Sequence, residues 1–135
     1  MVHHPFKYAN MLTQKMDKHG AQCWLVNTGW TGGKFGIGKR MSIHHTRALL
    51  NAALDGNLDK GKFRKDKLFG FDVPTSCPGV PEEVLDPANT WGSKDDYWKT
   101  YDGLAARYIE NFKLFASGCP EEVIAAGPKR LSQVG

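Results

Sequence analysis

The sequence predicts an α/β fold that is rich in helix and short of strands, and three observations carry the prediction. Cys23-Trp-Leu-Val26 is a continuous apolar run without alternation, the pattern of a central strand buried on both faces of a mostly parallel sheet. Five glycines in the eleven residues from Thr28 to Gly38 separate that run from a helix starting near Ile43. A stripe at 3.6-residue spacing, from Tyr97 through Tyr101, Leu104, Ala105, Tyr108, Ile109 and Phe112 to Phe115, predicts the longest helix over about 94–116. A strand buried on both faces needs hydrogen-bonding neighbours on both sides, and the chain offers one other candidate strand. Either the chain is part of a larger fold, or it completes a sheet in a partner, or it holds more strands than these patterns reveal; the expectation is a single segment, residues 1–135, of an incomplete domain.

Taken in order, Pro5 opens and Gly20 closes an amphipathic helix over 6–19, with Tyr8, Met11, Leu12 and Met16 on one face. The helix after the glycine loop takes Ser42 as N-cap and ends near Gly56, with Leu49, Leu50, Ala53 and Leu54 expected on its inner face. Residues 57–92 lack periodicity and carry Pro74, Pro78, Pro81 and Pro87; within them Phe69-Gly-Phe-Asp-Val73 reads as an edge strand. Ser93 with Asp96 three residues later supplies a capping-box-like start for the long helix. A helical turn around Glu121–Ala126 and a polar tail follow.

Composition excludes several functions. A net charge of +4 with interspersed acids does not make a nucleic-acid surface, and the densest basic stretch, Lys60 to Lys67, reads as a solvated connector. Three distant cysteines, none in a CxxC pair, suggest neither a disulfide framework nor a zinc site. No run approaches the ~20 apolar residues of a membrane span, and the N-terminus lacks a signal pattern. A cytoplasmic, soluble protein is expected. His44 and His45 point in different directions at a helix start and do not make a metal pair, Asp95-Asp96 and Glu82-Glu83 read as helix-start charges, and Cys23 is expected to be inert within its apolar run.

The chemistry concentrates in the glycine loop. Gly33-Lys-Phe-Gly-Ile-Gly-Lys39 has the GxxxxGK spacing of a phosphate-binding loop, but the position that should hold magnesium through Ser or Thr is Arg40. Lys34, Lys39 and Arg40 instead surround backbone amides just before a helix N-terminus, and a guanidinium can stack on a purine. Nucleotide contact without magnesium ligation is the function this loop best supports.

The run Asn27 to Thr46, NTGWTGGKFGIGKRMSIHHT, makes the reading specific. Together with His-Pro and Lys-Tyr-Ala upstream, Phe69-Gly-Phe-Asp-Val-Pro74, Val84-Leu-Asp-Pro87, Thr90-Trp91 and Ile109-Glu-Asn-Phe112, it resembles the C-terminal portion of ATP-dependent phosphoenolpyruvate carboxykinases over about residues 3–129. The resemblance implies part of an α/β mononucleotide-binding domain. It implies that Arg40, Met41 and Thr46 contact the base and ribose side of ATP. It further implies conversion of oxaloacetate and ATP to phosphoenolpyruvate, CO2 and ADP in gluconeogenesis, with Mg2+ and Mn2+ held by residues outside this chain. The phosphate loop, the metal ligands and the oxaloacetate arginine are expected in the remainder of the carboxykinase fold, so the isolated chain is expected to lack turnover. The alternative is a non-catalytic module that docks on another chain through its unpaired strand edge and the exposed side of the aromatic helix.

Overall fold

The computed structural model describes residues 2–134. Helix α1 (Pro5–His19) has proline in its first turn and ends at Gly20, whose φ of 60° lets its amide reach Met16 O. No residue of α1 is buried; Tyr8, Met11 and Leu12 lie on the surface. The His4 ring, at the helix start, and the Phe115 ring meet edge to face at 6.2 Å.

The expected central strand is absent as a strand. Among the described residues the backbone of Cys23–Val26 makes no hydrogen bond, and Leu25 is 76% exposed. Its apolar composition suits a sheet interior, but no strand among the described residues pairs with it. Cys23, read as embedded, is likewise exposed.

The strands that form among the described residues are four short ones in two antiparallel hairpins. Trp30–Thr31 (β1) pairs with Lys39–Arg40 (β2), setting Trp30 opposite Arg40. Phe63–Lys65 (β3) pairs with Asp72–Pro74 (β4), setting Arg64 opposite Val73. The predicted edge strand over 69–73 is thus shifted to Asp72–Pro74, because Phe69 belongs to the turn knitted by Asp66. Its partner β3 lies inside the basic stretch, three of whose charges meet partners within the chain: Arg64 at Asp86, Lys65 at Asp72, and Lys67 over the Trp98 ring.

Helix α2 (Ile43–Leu54) is capped by Ser42, whose hydroxyl accepts from His44 N at 3.2 Å. Ala52, Leu58, Cys77, Val80 and Leu85 form the main core, with Trp24, Ala48, Leu49, Ala53 and Val84 packed around it. Two of the four residues expected inside, Leu50 and Leu54, face outward, with no element among the described residues covering them. After the single turn α3 (Glu82–Leu85), α4 (Lys94–Phe112) starts at the Ser93 cap and stops four residues short of the predicted end, passing into turns before α5 (Glu121–Ala125).

The chain exposes 10018 Å². A compact monomer of 15.0 kDa exposes roughly 7,000 Å². Leu25, Phe35, Ile37, Leu54 and Leu114 are each more than two-thirds exposed.

The C-terminal tail is clipped to α4 by Asp102, whose carboxylate accepts from Arg130 Nε at 2.9 Å and from Leu131 N at 2.8 Å. The Arg130 guanidinium first, and the Leu131 amide second, lower the Asp102 carboxyl from 3.8 to about 2. Below pH 3.8 the unfolded chain takes up a proton that folded Asp102 refuses until about pH 2. The contribution of the clip to stability is therefore complete above pH 3.8 and lost as pH falls through about 2. The Leu131 amide NMR shift is expected to titrate with a midpoint near pH 2; a midpoint near 3.8 would show that the clip does not form.

Candidate functional site

The glycine loop folds as the turn of the β1–β2 hairpin. Ile37 N and Gly38 N both donate to Lys34 O, at 3.0 and 2.9 Å, so these two amides close the turn on itself. A phosphate loop needs its amides free and pointed at the ligand. The GxxxxGK spacing therefore reflects a tight hairpin: a side chain on Gly38 would collide with Gly33 O and Thr31 O, and Gly33 is buried with φ 155°.

Arg40 ends β2, and its guanidinium lies over the Trp30 ring at 5.8 Å from the centroid. Trp30 in turn meets Phe35 edge to face at 5.2 Å. This contact follows from the register, since Trp30 is the residue opposite Arg40. It places a fixed cation on an exposed indole immediately before a helix N-terminus. Such a group offers stacking and charge to a planar anionic ligand.

Met41 follows, and its amide donates to Gly29 O at 3.0 Å, extending the hairpin ladder to the NTGW block. Its side chain is half-buried. Thr46 lies in the first turns of α2; its hydroxyl donates to Ser42 O at 3.2 Å, which leaves the oxygen's lone pairs available as acceptors. The structure gathers Arg40, Met41 and Thr46 around the start of α2 but does not line one cavity with all three. Met41 alone faces the large groove.

That groove, about 950 Å³, runs along the unpaired Gln22–Asn27 segment. Its opposite walls come from Leu49 and Ala53 of α2, Phe63 of β3 and Val73 of β4. Trp24 stacks on Phe63 at one side, with ring centroids 6.1 Å apart. A concave apolar surface beside backbone amides that lack partners has the shape of a seat for further sheet.

Sequence reasoning missed Trp30 and Thr90 as parts of this site. Both lie within blocks that carry the family resemblance, NTGW and Thr90-Trp91, which was the signal available. Among the described residues no three His, Cys, Asp or Glu side chains converge as a cation site.

Comparisons with known proteins give the family of the chain. A family model described as phosphoenolpyruvate carboxykinase matches residues 1–83. The phosphoenolpyruvate carboxykinase (ATP) of Afipia carboxidovorans is 54% identical over 124 residues, covering 92% of this chain and 23% of that protein. Those of Caldanaerobacter subterraneus subsp. tengcongensis and Dictyostelium discoideum are 50% identical over 93% of this chain and 49% identical over 95% of it. The chain belongs to the phosphoenolpyruvate carboxykinase family, in the group whose members are named for ATP. It spans about a quarter of the length of the curated relatives it matches.

Proposed function

We propose that this segment forms the adenine-side wall of the ATP site of a carboxykinase that converts oxaloacetate and ATP to phosphoenolpyruvate, CO2 and ADP. The observation that carries the reading is Arg40 held on Trp30 directly before α2. A preset guanidinium there stacks on the purine, Met41 supplies an apolar contact and the Thr46 oxygen accepts a hydrogen bond. In the reaction, decarboxylation of oxaloacetate leaves an enolate whose oxygen takes the γ-phosphoryl group, with ADP as leaving group. The groups that hold the phosphates, the metals and oxaloacetate belong to the remainder of the fold, which covers the groove and pairs with Cys23–Val26. The segment is then the C-terminal part of a mononucleotide-binding domain.

The test uses a full-length chimera in which this segment replaces its counterpart in one of the relatives above. Arg40→Ala is expected to raise the KM for ATP about tenfold, with a smaller change in kcat, since the contact is made equally in ground and transition states. An unchanged KM would remove Arg40 from the site.

A further inference from the structure

We infer that Thr90 is a positioning residue that fixes the glycine hairpin, and through it Arg40, onto the start of α4. The inference rests on the adenine-side reading of Arg40. The Thr90 hydroxyl is used in both directions: it accepts from Gly32 N at 3.1 Å and donates to Pro87 O at 2.8 Å. The first of these bonds crosses 58 positions of sequence and ties the hairpin turn to the segment that leads into α4.

Gly32 is shaped for this contact. Its φ of 76° is a left-handed conformation that glycine adopts freely, and a Cβ there would lie 3.4 Å from Thr90 O. The backbone of the turn can therefore approach Thr90 closely. On the other side Thr90 is itself held: its amide donates to Pro87 O at 3.1 Å, and the ring of the next residue, Trp91, meets Tyr97 in the first turn of α4 edge to face at 5.6 Å. The line of support thus runs from α4 through Trp91 and Thr90 to Gly32 and into β1, whose Trp30 carries the Arg40 guanidinium. A hairpin with exposed Phe35 and Ile37 at its tip has little other packing to set its angle against the rest of the chain.

The test compares Thr90→Val, which keeps the shape and loses both hydrogen bonds, with Thr90→Ser, which keeps the hydroxyl, in the full-length chimera. Thr90→Val is expected to raise the KM for ATP about five- to tenfold while kcat and the KM for oxaloacetate stay within about twofold. Thr90→Ser restores the KM for ATP. The Gly32 amide is expected to exchange hydrogen faster in Thr90→Val and at the parental rate in Thr90→Ser. An unchanged KM for ATP in Thr90→Val, while Arg40→Ala raises it, overturns the role of Thr90 alone. Equal losses in all kinetic constants together with lowered thermal stability and no rescue by serine also overturn it, because they describe general destabilisation. An unchanged KM in Arg40→Ala overturns the adenine-side reading and the role of Thr90 with it.

Discussion

Replacing Asp66 with alanine is expected to destabilise the chain by about 2–4 kcal/mol, measured by urea unfolding followed by tryptophan fluorescence. One carboxylate oxygen accepts from Leu68 N at 3.0 Å and Phe69 N at 2.7 Å; the other accepts from Tyr101 OH at 2.9 Å. Asp66 therefore shapes the β3–β4 turn and also ties it to α4. The turn positions Leu68, which is 2% exposed, and Phe69, whose ring packs on Tyr101 and Tyr108 at 5.4 and 5.3 Å. Burial, and next the hydrogen bond to Asp66, push the Tyr101 phenol far above its usual range, so its proton stays in this contact. Tyr101→Phe removes one of the three bonds and is expected to cost about 1 kcal/mol. Asp66→Asn keeps an acceptor for the turn amides and falls between the two. A loss below about 0.5 kcal/mol for Asp66→Ala would show that the turn is held by its aromatic packing alone.

The largest functional effect concerns the chain acting without the rest of a carboxykinase. The chain exposes roughly 3,000 Å² of surface beyond that of a compact monomer of this mass. The exposed surface includes Leu25 and Val26 of the unpaired segment and the walls of the groove. Burial against further sheet would remove that surface from water and supply hydrogen-bond partners for Cys23–Val26. Phosphoryl transfer needs the phosphates and the nucleophile held in line. In this segment the Ile37 and Gly38 amides are spent on Lys34 O and the Gly32 amide on Thr90, and Arg40 stands on an open surface. The expected contribution is binding on the base side, with catalytic alignment coming from elsewhere in the fold.

Much of the helical frame was legible because its signals are local. Pro5 and Gly20 bound α1, and Ser42 and Ser93 cap α2 and α4 at the expected residues. The strands were not legible for two opposite reasons. Cys23–Val26 has the composition of a buried strand, but strand formation depends on neighbours that composition does not report. Phe63–Lys65 and the two-residue strands flanking the glycine turn pair through hairpin register, and their charged or glycine-rich sequences mask the alternation that marks a strand. At the site, Arg40, Met41 and Thr46 came from the motif and the family resemblance. The Arg40–Trp30 contact and the Gly32–Thr90 bond depend on hairpin register and on a contact across 58 positions, which periodicity does not encode.

The central claim is that this chain supplies the base side of a carboxykinase ATP site and needs the remainder of that fold for chemistry. The direct measurement is phosphoenolpyruvate formation from oxaloacetate and ATP by the purified 135-residue chain and, at equal concentration, by the full-length chimera carrying it. The expected result is turnover by the chimera and none above background by the chain. Turnover by the chain alone, or a folded chimera without activity, would contradict the claim.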